Sequence, residues 1–318
     1  MRPKLVFVHG IGGPRQVDQE RHRWTAALAD GMRKAGHSDI AEDLANSDSP
    51  EIEFAYYGDL FTTPHAQGGD ASLSATNELQ LVSELFTQIL AELETGDERL
   101  RLIVERATEE LHPHGTPQGA GDVLRRLINA ATTLLSVGPF ALAGQWLSAR
   151  LLVRDLAQVA RYLARAEPDE DGSTLDRRVR DRVDAALGDD PAIVVAHSLG
   201  SVVSYEVLHC RRREIPLLVT LGSPLLMRSV VWPRVRPQPP RTPEQVRRWA
   251  NFWDRDDIIV ARPRLEADML ANSLGVLPAS GRVDSDGAWV HTATKYLAHA
   301  DVGGPVAETI RRLRRSDE

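Results

Sequence analysis

The feature that most restricts the fold is a set of short apolar runs that do not alternate. Leu5-Val6-Phe7-Val8, Ile193-Val194-Val195-Ala196 and Leu217-Leu218-Val219-Thr220-Leu221 are rich in β-branched side chains and nearly free of polar ones. A strand with one wet face alternates in polarity, whereas one that is apolar throughout is buried on both faces. Each run is bounded by turn-forming residues. Gly10-Ile11-Gly12-Gly13-Pro14 follows the first, Pro191 precedes the second, and Gly222-Ser223-Pro224 ends the third. Segments of helical spacing lie between strands. In Trp24 to Ala35, the side chains of Trp24, Leu28 and Met32 share one face and Gly36 stops the helix; Val202 to Cys210 is a second such segment. Glu51 to Tyr57 and Trp249 to Trp253 read as further strands, and 231–243 as a proline-rich irregular connection. Strands that alternate with helices predict an α/β fold, a mostly parallel sheet with helices on both faces.

The pattern changes over residues 65–167. Leu79 to Leu93, Leu100 to Leu111 and Val123 to Ala166 carry helical periodicity, and no strand is apparent. The segment is too long for an ordinary loop. The expected organisation is a core formed by 1–64 and 168–318, with 65–167 an all-helical insertion acting as a cap or lid. Leu127 to Ala149 carries no charge and is long enough to cross a bilayer. Its polar residues Asn129, Thr132, Thr133, Ser136, Gln145 and Ser148, and the Gly138-Pro139 break, argue instead for two buried helices that meet at a bend. Such a bend is a natural hinge for a lid, and the sequence equally permits a static kink.

Charge and cysteine usage narrow the function classes. The net charge is −7 and no polybasic block is present, so nucleic acid is not an expected partner. Arg211-Arg212-Arg213 reads as a solvated helix end. Cys210 is the one cysteine of the chain, which excludes an internal disulfide; its apolar surroundings predict a buried, inert thiol. The apolar run at the N-terminus ends at His9-Gly10, too early for a secretory signal, so the expected location is the cytoplasm. No cluster has metal-ligand spacing, and the expectation is a protein that needs neither metal nor organic cofactor.

The chemistry centres on Ala196-His197-Ser198-Leu199-Gly200, which follows a buried strand and precedes a helix. That is the context of a nucleophile elbow, where a strained turn exposes a serine between small neighbours. The competing reading is a serine that caps the following helix. A serine nucleophile needs a base and a group that orients the base, in the chain order Ser, acid, His. Of the two histidines beyond the aspartate cluster, His291 follows Trp289-Val290, read as the end of the last strand, and is preferred over His299 within the next helix. Asp254, Asp256 and Asp257 all qualify as the acid. Asp257 is preferred because Ile258-Ile259-Val260 can anchor it facing inward, while Asp254 can fix the local turn. The oxyanion would be held by the backbone N–H of Leu199 and that of Ile11 or Gly12, with His9 bracing the glycine-rich loop.

Three segments, Val6-Phe7-Val8-His9-Gly10, Ala196-His197-Ser198-Leu199-Gly200 and Leu221-Gly222-Ser223-Pro224, resemble the α/β-hydrolase family. Within it they are most similar to small bacterial lipases and inositol-deacylase-like hydrolases. Asn251-Phe252-Trp253-Asp254-Arg255-Asp256-Asp257 is similar to the N-x-Y-D-x-x-D loop of the latter, which places the acid on Asp257. His291 followed by Tyr296 resembles the family's closing histidine-plus-aromatic segment. The likeness covers about residues 4–60 and 190–315 and omits the insertion. Ala196 replaces the first elbow glycine, and the family's first strands are absent, which implies a reduced sheet. The resemblance implies hydrolysis of esters, thioesters or amides through Ser198, Asp257 and His291. The favoured expectation is a serine hydrolase for carboxylic esters, with the apolar insertion pointing to lipid or long-chain acyl esters. Its rivals are an amidase or peptidase with the same triad, and a silent scaffold that binds a protein or membrane surface through the insertion.

Overall fold

The computed structural model describes residues 4–12, 16–46, 50–62, 76–93, 98–113, 120–135, 149–254, 257, 259–260, 264–285 and 291–316. Among these, six strands form one sheet: β1 (Lys4–Val8), β2 (Glu51–Ala55), β3 (Ala192–His197), β4 (Leu217–Leu221), β5 (Trp249–Asp254) and β6 (Pro278–Val283). Their order is β2-β1-β3-β4-β5-β6 and every neighbouring pair is parallel. From β1 the chain proceeds to β2 on one side, while β3 occupies the other side. The connections therefore leave in opposite directions at β1 and β3, a switch point at whose carboxyl ends open parallel sheets bind ligands.

The unalternating runs divide their side chains between two cores. Val6, Val8, Val194, Ala196 and Leu218 enter one apolar cluster. Leu5, Phe7, Ile193, Val195, Leu217 and Val219 enter the other. The second cluster is covered by α1 (Val17–Lys34), α2 (Ser38–Ala45), α9 (Ala293–Leu297) and α10 (Ala300–Ser316). The first is covered by α3 (Thr76–Glu92), α4 (Glu98–Leu111), α5 (Ala120–Leu135), α6 (Ala149–Ala164), α7 (Leu175–Leu187) and α8 (Leu199–Cys210). Helices thus lie on both faces, as burial of both faces of each central strand requires.

The segment between β2 and β3 contributes only helices among its described residues. Helices α3 to α6 share one continuous apolar cluster with the sheet face. Buried polar contacts tie their exit to the core. Tyr162 Oη donates to Glu206 Oε2 at 2.6 Å, Arg165 bridges Asp176 and Glu206 at 2.9 and 2.5 Å, and Arg180 reaches Asp176 at 2.7 Å. Burial, reinforced by the Glu206 carboxylate, pushes the Tyr162 hydroxyl well above its usual pKa. Removing one member of such a buried ionic group strands its partners, a loss of about 3–5 kcal/mol. Of the expected bend in Leu127 to Ala149, residues up to Leu135 belong to α5 and Ala149 begins α6; Gly138-Pro139 lies outside the described residues. No helix among the described residues is long and apolar enough to cross a membrane.

One expectation requires correction. Cys210 is exposed, because α8, apolar and buried for most of its length, emerges into solvent at its last residue. Trp289-Val290, read as the end of the last strand before His291, lies outside the described residues; the last described strand, β6, ends at Val283. Pro-Ala-Ser-Gly-Arg-Val lacks an apolar run because β6 is an edge strand with one neighbour, where proline and polar residues are tolerated.

Candidate active site

The residues singled out in the sequence converge at the carboxyl end of the sheet. Ser198 follows β3 directly and adopts φ 52° and ψ −127°, a conformation that L-residues seldom take and that costs on the order of 1–3 kcal/mol. The surroundings hold it there. Its N–H donates to Leu221 O at 3.0 Å, which extends the β3–β4 ladder by one residue. Its carbonyl accepts from the Ser201 N–H at 2.9 Å and the Ser201 hydroxyl at 2.6 Å. Since Ser201 Oγ commits its proton there, Ser223 donates to Ser201 across 2.7 Å.

The turn is possible only because its neighbours lack side chains. A Cβ on Gly10 would come within 2.6 Å of Ser198 Cβ, and one on Gly200 within 2.6 Å of Val8 O. Both distances are far inside van der Waals contact, so the His9-Gly10 loop and the start of α8 approach each other at backbone distance.

Ser198 does not cap α8 through its side chain. Its Oγ instead lies 2.8 Å from His291 Nε2. On the other side of the ring, His291 Nδ1 is 2.9 and 2.8 Å from the two carboxylate oxygens of Asp257. An ionised carboxylate only accepts, so Nδ1 carries the imidazole proton and Nε2 is the acceptor for the serine hydroxyl. All three groups are buried, with relative exposures of 1% for Ser198, 0% for His291 and 3% for Asp257. The His197 ring packs against that of His291 with centroids 4.6 Å apart.

Asp257 is held by two further donors. The Ile259 N–H reaches Oδ1 at 3.0 Å and the Tyr296 hydroxyl reaches Oδ2 at 2.7 Å. Tyr296 Oη also accepts from the Asp254 N–H at 3.0 Å, which links the end of β5 to the acid loop. Burial first, and then the Asp257 charge, push the Tyr296 hydroxyl well above its usual pKa, so it stays a donor. Asp254 plays a different part. Its Oδ2 accepts the Ser285 N–H at 2.7 Å and anchors the chain leaving β6. Asp256 lies outside the described residues. His299 is 3.3 Å from Ser285 Oγ, in contact with that same segment. Gly222 explains the third motif. It has φ 53°, and a Cβ there would come within 2.6 Å of Asp257 Oδ2.

On the opposite side, the loop after β1 is fastened at two points. His9 Nε2 accepts the Tyr57 N–H at 3.1 Å, and the Tyr57 hydroxyl donates to His9 O. The two rings stack at 4.1 Å, so His9 braces the loop as its sequence position suggests. Three residues on, Gln158 of α6 engages both backbone groups of Gly12. The Gly12 N–H donates to Oε1 at 3.0 Å, and Nε2 donates to Gly12 O at 3.2 Å. Nothing near Gln158 in the sequence announces this contact, which spans 146 positions. Leu199 begins α8, where amides have no intrahelical acceptor and the helix end is partially positive.

Among the described residues no group of three or more His, Cys, Asp or Glu side chains could hold a metal ion. No known family model matches the chain, and no curated protein resembles it.

Proposed function

We propose that the protein is a serine hydrolase of the α/β-hydrolase type that cleaves carboxylic esters through an acyl-enzyme. The observation that carries the reading is the unbroken line Ser198 Oγ–His291 Nε2 and His291 Nδ1–Asp257, with every contact between 2.8 and 2.9 Å and every member buried. A serine nucleophile requires that arrangement, and a merely structural serine or a silent scaffold has no need of it. The strand order supports it as well, with the nucleophile after β3, the acid after β5 and the histidine beyond β6.

In this mechanism Ser198 attacks the substrate carbonyl carbon as its hydroxyl proton passes to His291 Nε2. Asp257 holds the imidazole tautomer and stabilises the imidazolium. The N–H groups of Leu199 and Ile11 take the tetrahedral oxyanion. Gly12, the other loop candidate, already gives its N–H to Gln158. Collapse expels the alcohol, which takes the proton from His291. Water, deprotonated by His291, then attacks the ester carbonyl of the acyl-enzyme and releases the acid and the free serine. Lipid or long-chain acyl esters are the proposed substrates because helices α3 to α6 join the apolar cluster that also holds Ile11 and Leu199.

A fluorophosphonate probe tests the class, since it reacts covalently with an activated serine. Labelling at Ser198, abolished in a folded Ser198→Ala variant, is the expected result. Equal labelling of that variant at another serine would refute the assignment. A series of p-nitrophenyl esters and matched anilides then separates esterase from amidase.

A further inference from the structure

We infer that Gln158, carried on α6 of the helical segment, is a positioning residue for the oxyanion-binding loop. The inference rests on the hydrolase reading above and assigns the insertion a part in it.

The loop from His9 to Gly12 has clamps at both ends. Tyr57 holds His9 through backbone and side chain. Gln158 holds Gly12 by both its N–H and its carbonyl, at 3.0 and 3.2 Å. Between the clamps lie Gly10, pressed against Ser198, and the buried Ile11. Gly12 has φ 141°, a backbone state in which a glycine is free to move unless something outside the loop holds it. One carboxamide that fills both the acceptor and donor roles, as a neighbouring strand would, fixes the Ile11–Gly12 peptide through its N–H and holds the Gly12 carbonyl beyond it. That in turn limits the directions available to the amide of Ile11. Gln158 is 7% exposed, so water does not compete strongly for its bonds.

Catalysis by such a hole depends on donors already aimed where charge develops, so looseness in the loop acts on the transition state more than on substrate binding. Deleting an oxyanion donor outright slows turnover about 10²–10³-fold. Loosening one without deleting it should cost less, on the order of tenfold to a hundredfold.

The test compares Gln158→Met, which keeps the volume and removes both hydrogen bonds, with the wild-type protein. Both are assayed on a p-nitrophenyl ester and on its thionoester analogue, in which C=S replaces C=O. Wild-type protein should favour the oxygen ester, because the hole is sized and aimed for oxygen. In Gln158→Met, kcat for the oxygen ester should fall tenfold or more with KM changed less than about threefold, and the oxygen-to-sulfur preference should shrink about tenfold. A residue that only stabilises the fold would lower both rates together. If Gln158→Met does not fold, Gln158→Glu keeps an acceptor for Gly12 N–H and loses the donor to Gly12 O, and the same ratio should fall. An unchanged ratio in a folded variant, with wild-type Ser198 still labelled by the probe, overturns this inference alone. An unlabelled wild-type Ser198 overturns the hydrolase reading and this inference with it.

Discussion

Replacing Asp257 by asparagine puts the proposed triad under the sharpest strain. Every identified partner of the carboxylate is a donor: Ile259 N–H on Oδ1, the Tyr296 hydroxyl on Oδ2, and His291 Nδ1 across both oxygens. Asparagine turns one oxygen into an NH2 that must face one of these donors. Tyr296 cannot easily reverse, because its buried hydroxyl proton would be left without the acceptor it now has. The strain is relieved most simply at His291, which can move its proton from Nδ1 to Nε2. That tautomer points N–H at Ser198 Oγ and can no longer accept the serine proton. The same change in a serine protease costs about 10⁴ in kcat, equivalent to about 5 kcal/mol of transition-state stabilisation. Asp254→Asn should stay within about tenfold of wild type, since its backbone bond to Tyr296 survives and an amide oxygen can still accept Ser285 N–H. Steady-state hydrolysis of a p-nitrophenyl ester, with folding checked by circular dichroism, measures both. A folded Asp257→Asn enzyme with more than a tenth of wild-type turnover, or a deeper loss in Asp254→Asn, would refute the reasoning.

Three further outcomes follow from the same geometry. Gly222→Ala should fold with a penalty of about 1–2 kcal/mol for its backbone conformation and lose at least a hundredfold in kcat, because the new Cβ meets Asp257 Oδ2; near-normal turnover on the same ester would contradict the close approach. Tyr296→Phe should lower stability in urea by about 2–4 kcal/mol, because Asp257 loses a donor and Asp254 N–H loses its acceptor, while kcat falls only about tenfold. Stability should also decline at alkaline pH. Tyr162 and Tyr296 are raised well above 10.0 and Tyr205 to about 12, each mainly by burial, so the folded state keeps protons that the unfolded state releases. Their contribution is intact below pH ~10 and is lost as pH rises from there toward the folded values, at about 1.4 kcal/mol per pH unit for each tyrosine involved. Urea midpoints that stay flat from pH 9 to 11 would count against these burial effects.

The parts legible in the sequence are those whose signal is local. β1, β3 and β4 are apolar at nearly every position because both of their faces are covered, and that covering is written in consecutive residues. Ser198 directly follows β3, and the chain order Ser, acid, His narrows its partners to three aspartates and two histidines, from which local neighbours single out Asp257 and His291. Local signal is weaker for α7, β6 and Cys210. The first carries its apolar stripe among many charges, with Val179, Val183 and Leu187 on the buried side. The second is a polar edge strand. The third depends on where a uniformly apolar helix leaves the core, which is a property of the packing. Gln158 is the extreme case. A glutamine on an amphipathic helix carries no signal in sequence, and only the fold reveals that its carboxamide meets Gly12.

That contact also bears on what the helical segment is for. A cap that served only to shield the site would need an apolar underside and no specific bond to the loop proposed to hold the oxyanion. Helix α6 has the apolar side and a specific bond besides: it belongs to the apolar cluster that continues under β1 and β3, and it places one carboxamide on Gly12. The same helix continues to Arg161, which donates to Phe61 O at 2.9 Å and to Glu167 at 2.7 and 2.6 Å, and to Tyr162, which donates to Glu206. Polar attachments at Gln158, Arg161 and Tyr162 fix α6 along its length and in rotation about its axis. A helix held in that way carries Gln158 to Gly12 as a rigid support. On the proposed mechanism, α6 therefore helps hold the loop proposed to bind the oxyanion, and changes made in the helical segment to alter acyl-chain preference should spare α6 if turnover is to be kept.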